Sequence, residues 1–246
     1  TVDKLGDYRQ DDTYLKKHID KILALPLVDV EAVRAKNYKI VVDAINSTGA
    51  LAVPPLLEAL GCQTILLNGE VNGHFNHNPE PLKEHLGQLS TEVRMQKANL
   101  GIAVDPDVDR LVFMCEDGEV FGEEYTLVAV ADYVLSRKKG NTVSNLSSSR
   151  ALRDVTLKYE GEYFASAVGE VHVVEKMKEV NAVIGGEGNG GIIVPELHYG
   201  RDALVGIALF LSHLAQSGRQ ISTLRKTYPD YQMAKTKIER TPDIDL

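Results

Sequence analysis

Leu100-Gly-Ile-Ala-Val104, Asp105-Pro-Asp107-Val-Asp109-Arg110 and Leu111-Val-Phe-Met-Cys115 follow one another as an apolar run, an acidic turn and a second apolar run. Short uncharged runs of this kind are the pattern of buried strands, so the turn belongs at a sheet edge. Three carboxylates at alternate positions converge only where the backbone curls, and Pro106 helps to fix the curl. Asp105, Asp107 and Asp109 repel one another once gathered, so they call for a cation, and hard oxygen donors suit Mg2+ or Ca2+. Arg110 adds a permanent charge with a fork suited to phosphate or carboxylate. Glu116 falls twelfth from Asp105, as in an EF-hand, but the sixth position is Arg110 where that loop needs Gly, and a strand fills the space. A plain charged surface turn is the remaining alternative, and the buried strands on both sides argue against it.

Upstream, the β-branched run Ile40–Asp43 is followed by Asn46-Ser-Thr-Gly49, an apolar helix over Ala50–Leu60 and a strand over Gln63–Leu67. Pro54-Pro55 inside that helix suggests a start as late as Val53. Residues 69–82 read as a loop, Leu82–Lys97 as a helix, and Glu123–Ser136 as a helix after the second apolar strand. Further along, Thr142–Leu146, Glu162–Ala165 and Ala182–Ile184 read as strands, with helices over Ala151–Tyr159 and Gly169–Val180 between them. Strand, polar turn, helix, strand thus occurs twice, predicting two similar α/β domains, each a small mixed sheet flanked by helices. Ligands of such sheets gather beyond the carboxyl ends of strands, where the acidic turn lies.

The second half has its own loop there, Gly185-Gly-Glu187-Gly-Asn189-Gly-Gly191. Glycines let backbone approach a ligand, and Glu187 with Asn189 offers acceptors and donors able to read hydroxyls. No helix starts after the loop, so it is not a dinucleotide fingerprint, and a flexible hairpin would use the same residues. Glu187, placed among glycines with few apolar neighbours, is expected to matter little for folding. His198-Tyr-Gly-Arg201-Asp202 then leads into a buried helix over Asp202–Ala215, with Arg201 a candidate anion contact and Asp202 a candidate N-cap. His74, His77 and His85 read as solvated loop residues.

The 246 residues carry a formal charge of −8 and 43% hydrophobic residues, which fits a globular chain and argues against a general nucleic-acid binder. Cys62 and Cys115 lack a C-x-x-C pairing and read as reduced core thiols of a cytoplasmic protein. The longest apolar run, Ala203–Leu211, is far short of the ~20 residues that span a bilayer, so no membrane partner is expected.

Together these segments resemble the α-D-phosphohexomutase superfamily of phosphoglucomutases, phosphomannomutases and phosphoglucosamine mutases. The family's magnesium loop, Asp-x-Asp-x-Asp-Arg, is matched at Asp105, Asp107, Asp109 and Arg110, and its sugar loop at Gly186, Glu187, Asn189 and Gly190. Val42–Gly49 and Val168-Gly-Glu170 are similar to family segments as well. The resemblance implies Mg2+ on the three aspartates, Arg110 as a catalytic contact, and a hexose or hexosamine phosphate bound by Glu187, Asn189, Glu170 and Arg201. It also implies phosphate transfer between C1 and C6 through a bisphosphate, donated by a phosphoserine in a Ser-His-Asn-Pro motif. Here Asn76-His77-Asn78-Pro79 has Asn in place of that serine and falls in the second-domain loop, so we read it as coincidental. Where many members close the sugar loop with His, this chain has Gly191. The form Gly-Glu-Gly-Asn-Gly-Gly leans toward phosphoglucosamine mutases.

The implied layout is a helical link over 1–36 from a missing first domain, a magnesium-loop domain over 37–139, a sugar-loop domain over 140–235, and a link over 236–246 to a missing fourth. A chain of this kind, without the serine, is expected to be inactive alone. The alternative is a non-catalytic module that binds Mg2+ or sugar phosphate; a metal-dependent phosphatase is weaker, because the third Asp and Arg110 do not fit its motif.

Overall fold

In the computed structural model of the protein, which describes residues 6–231 and 233, the run Lys39–Asp43 forms β1 in the interior of a sheet. It pairs in parallel with β2 (Gln63–Leu67) and β3 (Leu100–Val104), and β3 pairs antiparallel with β4 (Leu111–Met114), giving the order β2-β1-β3-β4. The second sheet repeats this plan with β5 (Thr142–Asn145), β6 (Tyr163–Ser166), β7 (Ile184–Glu187) and β8 (Gly191–Ile193) in the order β6-β5-β7-β8. Helices α3 (Gly49–Ala59) and α4 (Gly87–Met95) follow β1 and β2, as α6 (Ala151–Lys158) and α7 (Glu170–Glu179) follow β5 and β6. The two similar α/β units with mixed sheets are therefore present.

Two helices buried on nearly all sides, α5 (Glu123–Leu135) and α8 (Ala203–Ser217), pack against each other between the sheets. A helix apolar all round needs such an interior position. One continuous core runs from Ile40, Ile102 and Phe113 through Val130 and Phe210 to Ile184 and Ile192. Phe113 and Phe210 stack with ring centroids 3.8 Å apart, and Phe121 meets Phe210 edge-on at 5.2 Å. The outer faces have smaller clusters: α4 places Leu89 and Val93 on Val41 and Val112, and α7 places Val173 and Met177 on Val143 and Ile193. Near the amino end, α1 (Tyr14–Leu23) and α2 (Val30–Lys36) lie on α8. Besides α8, α5 contacts α6 and β4, so Arg137–Gly140 follows a helix engaged with both halves.

Several expectations are corrected. Helix α3 starts at Gly49 with Pro54 and Pro55 inside it. The carbonyls that the prolines cannot bond belong to Ala50 and Leu51, in the first turn of the helix. The expected helix Leu82–Lys97 is a 3-10 turn at Lys83–His85 followed by α4. Helix α2 falls within the helical link expected over 1–36, whereas the short α9 (Ile221–Arg225) was not anticipated. β7 extends through Gly185 and Gly186 to Glu187, because backbone pairing on both sides holds glycines extended. Residues 236–246 lie outside the described residues. Cys62 and Cys115 are free, and burial pushes each thiol up to about 12, which fits inert core thiols.

Candidate active site

The edges of the two sheets meet where their loops meet. The backbone of Arg110 bridges Gly191, and Leu111 N–H donates to Gly190 O at 3.1 Å. Gly190 has φ +91°, and an added Cβ would collide with the carbonyl oxygen of Leu111, so only glycine permits this approach. The acidic turn and the glycine loop therefore form one site.

Asp105 leaves β3 buried, and its Oδ1 accepts the N–H groups of Asp109 and Arg110, both at 3.0 Å. Those bonds curl the turn. From the first sheet, Ser47 and Thr48 hydroxyls both donate to Pro106 O, at 2.9 and 2.6 Å. From the second half, Ala203 N–H donates to Val108 O at 3.0 Å. So clamped, Val108 sits at φ +63°, a conformation that costs a β-branched residue of order 1–3 kcal/mol.

One carboxylate oxygen each from Asp105, Asp107 and Asp109 lies within 4.8 Å of the others. Asp109 Oδ1 is buried without a hydrogen-bond partner. Burial pushes the Asp105 carboxyl up to about 7, opposed by the Arg110 backbone N–H and reinforced by the charges of Asp109 and Asp107. An orphaned buried oxygen among three hard donors fits a divalent cation such as Mg2+. Arg110 Nε lies 3.6 Å from Asp105, and its Nη1 reaches Glu80 at 3.1 Å. With Glu80, Glu123, Tyr125 and Asn189 it lines a pocket of about 510 Å3.

Arg201 joins the two loops. Its side chain is 14% exposed; one Nη pairs with Asp109, the other with Glu187 at 2.7 Å, and Nε faces Glu170 at 3.3 Å. Its own backbone N–H donates to Glu170 at 3.0 Å. Burial works against the Arg201 charge, but Asp109, Glu187 and Glu170 outweigh it and hold the pKa above the ordinary value. Glu187, 4% exposed, also accepts from Asn145 Nδ2 at 2.6 Å. The expectation that Glu187 is dispensable for folding is thus corrected: it is a buried strand residue with two charged or polar partners. Asn189 turns the other way, its Oδ1 accepting Gly191 N–H at 3.2 Å.

Of the expected site residues, Asp105, Asp107, Asp109, Arg110, Glu187, Arg201 and Glu170 form one connected cluster, with Asn189 on the pocket beside it. Asn145, Ser148 and Glu80 were not singled out. Ser148 receives Gly188 N–H at 2.9 Å and donates to Asn145 at 2.8 Å. Asn145 ends β5 ahead of a serine turn, and that position beyond a strand was the available signal. His77 is not a solvated loop residue; its Nε2 lies 2.9 Å from Asp43, a buried carboxylate at the end of β1.

The domain II and domain III models of phosphoglucomutase/phosphomannomutase match residues 16–118 and 122–231. The chain belongs to the phosphoglucomutase/phosphomannomutase family. A probable phosphoglucosamine mutase of Methanopyrus kandleri is 36% identical over 239 residues, covering 96% of this chain and 52% of that protein. A phosphoglucomutase/phosphomannomutase of Thermococcus kodakarensis is 36% identical over 236 residues, covering 95% and 51%. The crystal structure of a phosphoglucomutase/phosphomannomutase family protein from Burkholderia thailandensis superposes with a TM-score of 0.82 at 28% identity, covering 92% of this chain and 48% of that one. The chain spans about half the length of the curated relatives it matches. Among the described residues no helix is long and apolar enough to cross a membrane.

Proposed function

We propose that these residues are the metal-binding and sugar-binding middle of a phosphohexomutase, which moves a phosphoryl group between C1 and C6 of a hexose or hexosamine phosphate. The observation that carries the reading is the junction of Asp105, Asp107 and Asp109 with Glu187 through Arg201. Phosphoryl transfer asks a protein for positioning and charge neutralisation more than for covalent chemistry. Mg2+ held by the three aspartates would supply a Lewis acid for a phosphate oxygen. Arg110, at the mouth of the Asn189 pocket, would hold a second phosphate oxygen. Asn189 and Glu187 would meet sugar hydroxyls, while Glu170 positions Arg201 for the substrate's anionic end. A bisphosphate that must react in two orientations needs such a grip on both faces.

The relatives' names favour a phosphoglucosamine mutase or a phosphoglucomutase/phosphomannomutase, and the same reading puts the protein in the cytoplasm with phosphorylated sugars. The test is a coupled assay on the full-length protein with the 1- and 6-phosphates of glucose, mannose and glucosamine. Mg2+-dependent interconversion of at least one pair, abolished by Asp107→Asn, is expected. Interconversion of none would reject the proposal in favour of a binding module.

A further inference from the structure

A second cluster lies beside the acidic turn and is built of different donors. His18 of α1 and His198, in the loop entering α8, both direct Nε2 at a single oxygen, Asp202 Oδ2, at 2.8 and 3.0 Å. The other oxygen of that carboxylate is fixed, accepting Leu204 N–H at 2.8 Å and Val205 N–H at 3.2 Å at the start of α8. Asp202 is buried, and although burial alone would raise its pKa, the bonds from His18 and His198 hold it well below the ordinary carboxylate range. The imidazoles are reachable, with side chains 31% and 42% exposed. The cluster lines a pocket of about 300 Å3 together with Thr48, Asp107 and Arg201.

We propose that His18, His198 and Asp202 form a second cation site, for a borderline divalent ion of the Zn2+ class. The three ligand atoms lie within 4.8 Å of one another. The two nitrogens lie 2.8 and 3.0 Å from the oxygen they share, so each ring has to re-aim its Nε2 from that oxygen to an ion held at about 2.0–2.2 Å, leaving a fourth position toward the pocket. Each neutral imidazole keeps one proton by carrying it on Nδ1 while Nε2 turns its lone pair to the metal. The carboxylate is oriented by backbone donors, the outer-shell support that fixes a ligand. Imidazole nitrogens suit Zn2+, Ni2+ or Cu2+, whereas Mg2+ prefers the all-oxygen turn nearby, so donor hardness separates the two sites. An ion here would fasten α1 to the start of α8, where Arg201 also begins its reach to Asp109.

The test is a calorimetric titration of Zn2+ into the untagged chain, with Co2+ as a spectroscopic stand-in. One equivalent of Zn2+, a rise in melting temperature and the visible bands of four-coordinate Co2+ are expected. His18→Gln and His198→Gln should each weaken Zn2+ binding by about tenfold or more, with melts confirming that both variants fold. Asp107→Asn should leave Zn2+ binding intact, which keeps this site apart from the magnesium reading. Unchanged Zn2+ affinity in both histidine variants, loss of Zn2+ binding in Asp107→Asn alone, or an unliganded Co2+ spectrum would each overturn the proposal, leaving the cluster a hydrogen-bonded clip.

Discussion

Arg201 and Asp109 form an ion pair across 92 positions of sequence, joining the glycine-loop half of the molecule to the acidic turn. The pair means that, without a metal, one carboxylate of the turn is neutralised by an arginine from the other sheet. A cation bound at the turn would therefore be coupled to Arg201, because both positive charges would share the Asp109 carboxylate, the guanidinium on Oδ2 and the ion on the unpartnered Oδ1.

Arg201→Met should expose that coupling. It leaves Asp109, Glu187 and Glu170 without their shared cation, which should cost about 3–5 kcal/mol of stability in the absence of metal. Mg2+ should restore more stability to the variant than to the parent, and should bind the variant more tightly. Urea unfolding with and without Mg2+ reads both; equal Mg2+ stabilisation of the two proteins would contradict the linkage.

Glu187→Gln and Asn189→Ala should separate structure from surface. Glu187 is buried between Asn145 and Arg201, so loss of its charge should destabilise by about 1–3 kcal/mol. At roughly 2–4 °C per kcal/mol for a chain of this size, its melting temperature should fall by several degrees. Asn189 makes one local bond to Gly191 N–H, and its truncation should stay within about 0.5 kcal/mol of the parent. A smaller drop for Glu187→Gln than for Asn189→Ala in the same melts would show that the buried cluster is not holding β7.

Stability should also depend on His213, far along α8 from the site. Burial lowers its pKa from 6.5 to about 4, against the pull of Asp132. The folded state thus keeps His213 neutral where the unfolded chain would protonate it. The stabilisation is fully present above pH 6.5 and is lost as pH falls toward 4, by on the order of 3 kcal/mol. His18 acts in the opposite sense: the bond to Asp202 raises its pKa despite burial, so its contribution is present at lower pH and lost as pH rises through the raised value. Chemical denaturation from pH 7 to 4 on the parent and on His213→Gln should show a flatter slope in the variant; parallel curves would exclude His213 as the source.

The 246-residue chain alone should show no mutase turnover. Its nearest likeness to the donor motif has Asn76 where a phosphoserine would stand, and His77 in that segment is engaged with Asp43. Measurable conversion of glucose 1-phosphate or glucosamine 6-phosphate by this chain in a coupled assay would contradict the expectation and point to another donor.

Much of this was legible from local pattern. β1, β2 and β3 show as apolar runs bounded by turns, and the carboxylates of the acidic turn alternate along five residues, so their convergence needs no tertiary information. What stayed hidden depends on contacts between distant segments. Glu187 reads as a loop residue because glycines signal flexibility, and only pairing of β7 with β5 and β8 makes it a strand. Pro54 and Pro55 suggest a later helix start, yet packing of Val53, Leu56 and Leu57 into the core holds the earlier turn. Arg201 could be read as an anion contact, but its carboxylate partners come from three separate segments.

The central claim is that the acidic turn is a magnesium site, and Asp107→Asn tests it most directly. Asp107 is the exposed member of the triad, so the substitution should leave the fold intact while removing one ligand and one charge. The decisive measurement is a calorimetric titration of Mg2+ into parent and variant under identical conditions. A weak single-site isotherm for the parent and none for the variant is the predicted result. Superimposable isotherms, or no Mg2+ binding by the parent, would contradict it.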